Sequence, residues 1–193
     1  MEELKAKKIS KRKKRILIVA VVLLLLFVLF LVLAFALPYI GIKNLNNNFN
    51  GEYKFAVELD SVEITGDFII EPFSGRLTKY GGYVLSLRST DSQTRYYFKG
   101  FPDAGNTSKL TSIETRDSRY SFFGFSVGDS IEAATNILEQ NNYKYRKPPY
   151  PTAEFILYKL GHITFTLYGD GDIIEQINVS LSTTHFLSFT INV

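Results

Sequence analysis

The chain has 193 residues, no cysteine, no tryptophan, two histidines and a formal net charge of +3. Without cysteine it has no disulfide framework, no thiolate nucleophile or metal ligand, and no lipid-modified cysteine anchor. Residues 1–15 carry eight Lys and Arg against Glu2 and Glu3, so the rest of the chain is net acidic. A basic nucleic-acid surface on the main domain is therefore excluded.

Residues 11–15 read Lys-Arg-Lys-Lys-Arg, and from Ile16 to Ile42 no charged side chain follows. At 1.5 Å per residue a helix over 16–36 covers roughly 31 Å, enough for a hydrocarbon core of about 30 Å. We expect a basic cytoplasmic end at 1–15 and a single transmembrane helix at 16–40. Lys and Arg beside a span resist translocation, which puts the N-terminus inside and the C-terminal domain outside the cell membrane. Tyr39 fits an interfacial aromatic, while Pro38 and Gly41 mark the expected helix end. Ala34-Phe35-Ala36 has the small-x-small form of a signal-peptidase site, so cleavage after Ala36 is the alternative. The apolar run is longer than a usual signal core, and this favours a retained signal-anchor. Cysteine-free export behind such an anchor suits a bacterial cell envelope, and the flanking charge suits anionic lipid of the bilayer.

Residues 41–50, with Asn at 46, 47, 48 and 50, read as a polar linker without apolar period. From 51 to 193 the composition turns to Phe, Tyr, Ile, Val and Thr, suited to half-buried strands. Tyr53, Phe55, Val57 and Leu59 alternate, and Val62 with Ile64 continue the habit. Strands are also expected near 68–70, 83–87, 95–99 and 110–115, with turn chemistry at Gly81-Gly82 and at Pro102, Asp103, Gly105 and Asn106. One helix stands out. Asp129 or Ser130 can cap its first turn, Asp129 and Glu132 have capping-box spacing, and Ile131, Ala134, Ile137 and Leu138 form one apolar stripe. Asn141-Asn142 is its stop. Strands follow at 154–160, 162–168 and 173–181, the last two joined by Gly169-Asp170-Gly171-Asp172, and another is expected at 187–193. Tyr96-Tyr97-Phe98 before a turn and residues 110–115 echo Phe165-Thr166-Leu167 before residues 173–178. This suggests two diverged subunits, 51–119 and 120–193, although the first shows no equally clear helix. The expected class is α+β: the transmembrane helix, then an antiparallel sheet packed by one main helix.

Phe125-Ser126-Val127-Gly128-Asp129-Ser130-Ile131-Glu132-Ala133, then Leu138, Asn142-Tyr143, Phe165-Thr166-Leu167 and Asp170-Gly171-Asp172-Ile173-Ile174-Glu175-Gln176-Ile177, form a connected pattern. It resembles the small helix-plus-hairpin modules of the outer-membrane-assembly lipoprotein (SmpA/OmlA) and β-lactamase-inhibitor-protein group. The resemblance covers about 60 residues and departs from the group in having a membrane span and no cysteine. It implies a binding or assembly module, and it transfers no site residue.

No chemistry-bearing motif points to catalysis. Only His162 and His185 supply imidazole, without metal-ligand spacing. Asp170, Asp172 and Glu175 lack the remaining positions of a calcium loop. There is no Gly-x-Ser-x-Gly elbow, no Ser-x-x-Lys signature and no phosphate loop. No catalytic residue, metal site or cofactor is therefore assigned. The surface candidate is the stretch from Tyr143 to Pro151, where Tyr143, Lys144, Tyr145, Arg146, Lys147 and Tyr150 bring cations and aromatics into a Pro-rich loop between helix and strand. The expectation is a membrane-anchored extracytoplasmic module that docks a protein, an envelope component or a surface polymer. The alternative is an exported cell-envelope hydrolase, its triad or carboxylate pair assembled in space.

Overall fold

The structure, a computed structural model, describes residues 2–33, 37–59, 67–71, 83–100, 108–150 and 154–182. Two compact units result, Met1–Ile40 and Gly41–Val193. In the first, helix α1 (Glu2–Leu31) contains an 18-residue window, Lys14–Leu31, of mean hydropathy 2.9 with none of it buried. Eighteen residues rise about 27 Å. Every side chain from Ile16 to Leu33 is exposed, so this helix has no core of its own to enter. Such a helix fits a membrane anchor or a signal sequence. The proposed cleavage residues 34–36 lie outside the described residues.

Helix α2 (Leu37–Asn47) overturns two expectations. Pro38 does not end a helix; it sits in the first turn, where a missing N–H costs nothing. Gly41 lies inside the helix, where a Cβ would stand 3.4 Å from Ile163 Cδ1. Residues 41–50 are therefore no polar linker. From Gly41 onward they belong to the second unit, with Ile42, Leu45 and Phe49 buried in its core. The asparagines act as backbone substitutes. Asn46 is buried, its Oδ1 accepting from Phe55 N at 2.8 Å and its Nδ2 donating to Phe55 O at 2.9 Å. Asn48 closes the helix on Asn44, and Asn50 bridges Arg119 O and Ser121 N.

The second unit is α+β, and nine of its described strands form one antiparallel sheet. The short β1 (Glu58–Leu59) pairs with β5; the remaining order is β2-β3-β4-β5-β11-β10-β9-β8. The strands are β2 (Phe68–Glu71), β3 (Tyr83–Ser89), β4 (Thr94–Gly100) and β5 (Ser108–Thr115). The hairpin β6 (Ser121–Phe122) and β7 (Phe125–Ser126) stands apart. Then come α3 (Ile131–Gln140), β8 (Lys144–Arg146), β9 (Phe155–Leu160), β10 (Ile163–Tyr168) and β11 (Gln176–Leu181).

The expected strand over 53–59 forms only in part. Ala56 has φ +57, which breaks the extended run, and Phe55 makes only an isolated bridge to Leu110. Helix α3 follows its sequence pattern: Ser130 caps Ala133 N, Ala134 and Leu138 are buried, and Asn142 takes φ +66 beyond the last turn. Asp129 is occupied elsewhere, accepting from Ser126 N at 2.7 Å. The expected subunits 51–119 and 120–193 share one continuous sheet. Leaving β1 aside, each half is a helix followed by a four-stranded meander, and the last strands, β5 and β11, join at the centre with Ile113 opposite Val179. A helix does precede the first set of strands, but it is α2, which ends before residue 51 and so lies outside the expected first subunit.

Alternation gives the sheet two unlike faces. Phe68, Leu87, Tyr96, Ile113, Val179, Phe165 and Tyr158 point to the core, where the buried parts of α2 and α3 also lie. A belt of rings fills it, including Phe49 stacked on Phe122 at 4.7 Å and Tyr143 edge-on to Phe165 at 5.1 Å. The expectations for Val62 and Ile64, Gly81-Gly82, the turn at 102–106, His185 and the strand 187–193 fall outside the described residues.

Candidate functional site

The other face of the sheet is polar, and the register assembles it row by row. Glu71, Ser86, Tyr97, Ser112, Ser180, Thr164, Lys159 and Lys144 stand directly opposite one another in turn. The adjacent row is Ile69, Arg88, Arg95, Glu114, Asn178, Thr166, Leu157 and Arg146. Both described helices of this unit bury side chains on the opposite side, so no described helix covers these rows.

At the β2 end the charges are paired with one another. Glu71 accepts from Ser86 Oγ at 2.9 Å, Arg88 Nε at 2.9 Å and Arg95 NH2 at 3.0 Å. The chain of contacts continues from Arg95 to the Tyr97 hydroxyl, from that hydroxyl to Glu114, and through Gln176 to Arg116 at 2.8 Å. The Arg95 hydrogen bond, helped by Ser86 and Arg88, holds the Glu71 carboxyl below its ordinary range. Burial pushes the Tyr97 hydroxyl up, against the opposing pull of Arg95. Nearby, Asp117 is buried and held below its usual range first by the Arg119 side chain.

The β8 end is different. Lys144, Arg146 and Lys147 are exposed, Lys159 is half-buried, and none of the four forms an ion pair with another described residue. Lys144 stands directly opposite Lys159, a like-charge pair. Of the six predicted contact residues, Tyr143 is overturned as a surface group: it is 0% exposed, with its hydroxyl buried and driven upward in pKa by that burial. The stretch is also not simply a loop, since Lys144–Arg146 forms the outermost strand. Tyr145 at 54% and Tyr150 at 70% exposure remain on the surface.

A cavity of about 900 Å³ opens near the β10–β11 turn, lined by Arg116, Tyr168 and the acidic Glu154, Asp170 and Glu175. His162 does not line it; that residue lies in the β9–β10 turn, where its carbonyl accepts from Ser182 N at 2.8 Å. Asp170 to Asp172 form the β10–β11 turn, with Gly171 at φ +68. Among the described residues no group of three or more acidic or histidine side chains is placed to hold a metal. Sequence reasoning missed the Glu71 to Arg116 network, because its members are spread over five strands and meet only through register. Compared with protein-family models, curated proteins and solved structures, the chain matches none.

Proposed function

We propose that this chain is a single-pass membrane protein, N-terminus in the cytoplasm, whose outer α+β domain docks a protein or cell-envelope component. The observation that carries the reading is the β8 end of the polar face, which no described helix covers and where four cations have no described partner. Charges left unpaired at a surface gain from an incoming opposite charge, whereas the satisfied network at the β2 end gains little. The helix-plus-meander halves also suit the binding modules that residues 121–181 resemble. A photo-crosslinker at Tyr145, with one at exposed Asn47 as control, tests the role in native membranes. Specific capture from position 145 alone is expected, and equal or no capture from both positions refutes docking at this end. For the anchor, membrane extraction with N-terminal sequencing should return an uncleaved chain; a start at Leu37 would replace the anchor with a signal peptide.

The hydrolase alternative draws on one feature, the three carboxylates around the 900 Å³ cavity. Envelope-substrate turnover that disappears in Glu175→Gln would favour it over docking.

A further inference from the structure

Resting on that docking reading, we infer that β8 receives an extended acidic peptide as an added strand, one that alternates acidic, apolar and acidic residues. Strand β8 is bonded to β9 on one side, and no described strand lies on the other. Alternate backbone N–H and C=O groups of such an edge point outward and offer a ladder to a second polypeptide. Lys144 and Arg146 lie two residues apart on the polar face, about 7 Å along the strand. Carboxylates at matching positions of an incoming strand would relieve the Lys144–Lys159 opposition.

Between the two cations Tyr145 points to the other face, its ring edge-on to Tyr158 at 6.0 Å. The Tyr158 hydroxyl is fastened to Glu139 of α3 at 2.9 Å, which fixes the floor beneath Tyr145. An apolar residue between the two acids falls beside this half-exposed ring. A polyphosphate or an anionic lipid surface would match the charge, but would use neither the backbone edge nor Tyr145. A second copy of the chain would bring Lys144, Arg146 and Lys147 against their own equivalents, so the charges that admit an acidic strand also reject self-pairing. Pro148 and Pro149 have no N–H to donate, which limits the added strand to a short segment.

The test uses the full chain in zwitterionic nanodiscs and a labelled synthetic peptide of repeating Glu-Val. Three competitors accompany it: a peptide of the same composition with its glutamates grouped, inorganic polyphosphate, and phosphatidylglycerol vesicles. The alternating peptide should bind at least about tenfold tighter than the grouped one, weaken with salt, and slow amide exchange at residues 144–146. K144E/R146E should lose about tenfold or more while keeping its circular dichroism spectrum, and Y145A should lose affinity for the alternating peptide alone. Equal binding of grouped peptide or polyphosphate, or unchanged exchange at 144–146, overturns strand addition. Crosslinking at Tyr145 that survives K144E/R146E overturns it too, yet leaves the docking role standing; absence of capture from the parent chain removes the docking role itself.

Discussion

Replacing Asn46 separates a tether from a structural joint most sharply. Its side-chain amide is buried and exchanges two hydrogen bonds with the Phe55 backbone, at 2.8 and 2.9 Å. Asn46→Ala removes both and leaves a buried N–H and C=O without partners, each costing about 1–3 kcal/mol. A loss of about 2–6 kcal/mol follows, or roughly 6–18 °C in Tm at about 3 °C per kcal/mol for a domain of this size. Asn47, next in sequence, is exposed, and Asn47→Ala should stay within about 0.5 kcal/mol. Asn46→Asp adds a pH signature. The carboxylate still accepts from Phe55 N but faces Phe55 O without a proton, so folding raises its pKa above the unfolded value. Its stability should therefore recover as the pH falls and decline as the pH rises through that folded value. Thermal melts of the detergent-solubilised full chain, followed by circular dichroism from pH 4 to 8, measure all three variants. Equal melting of the Ala variants, or an Asp variant indifferent to pH, would refute the joint.

Tyr143→Ala should cost about 3–5 kcal/mol, since it empties a fully buried ring site. Tyr143→Phe should be near neutral or stabilising, because the buried hydroxyl has no described partner; denaturant midpoints compare the two. Ser130→Ala should cost about 1 kcal/mol through loss of the α3 cap, read the same way. Glu71, Asp91 and Asp117 all have depressed pKa values, chiefly from Arg95, Ser89 and Arg119 respectively. Their contribution is complete above the unfolded carboxylate range near pH 4 and disappears as acid takes each through its lower folded value. Glu71→Gln should flatten the fall in stability between pH 4 and 2, and an unchanged acid limb would count against the network.

Local patterns carried much of the fold. The α3 stripe and cap, the strands at 163–168 and 176–181, and the Asp170 turn depend on neighbours in sequence, so they could be read directly. Helix α2 could not. Its buried set is Ile42, Leu45 and Asn46, with Phe49 just beyond its end, so an amide stands where an apolar side chain is expected. Asparagine is a weak helix former, and four of them resemble a solvated tether until their partners, Phe55, Arg119 and Ser121, are known. Of the site, the cations of β8 were legible as composition. Their placement was not: whether Tyr143 faces core or solvent depends on its pairing with Phe165, and the meeting of Glu71 with Arg95 depends on the register of three strands.

The two halves each contain a four-stranded run of the sheet but differ in how the charges of the polar face are paired. In the first, Glu71 holds Arg88 and Arg95, and Glu114 is bound by Tyr97 and Gln176, while Lys99 stands opposite Lys109 across β4 and β5. In the second, the equivalent outer strands carry Lys144, Arg146 and Lys159 without a described partner. Desolvating a satisfied ion network against a partner loses the hydration of its groups and gains no new charge pair. Desolvating an unpaired cation against a carboxylate exchanges hydration for a charge-assisted hydrogen bond and relieves the repulsion between Lys144 and Lys159. At the central seam Ser112 donates to Val179 O at 3.0 Å, and Glu114 accepts from Gln176. One sheet thus has an end whose arginines are paired with Glu71 and an end whose cations have no described partner. On the docking reading proposed above, an acidic partner would gain more at the β8 edge, where Lys144 and Arg146 have no described partner, than at the β2 end, where Arg88 and Arg95 already share Glu71.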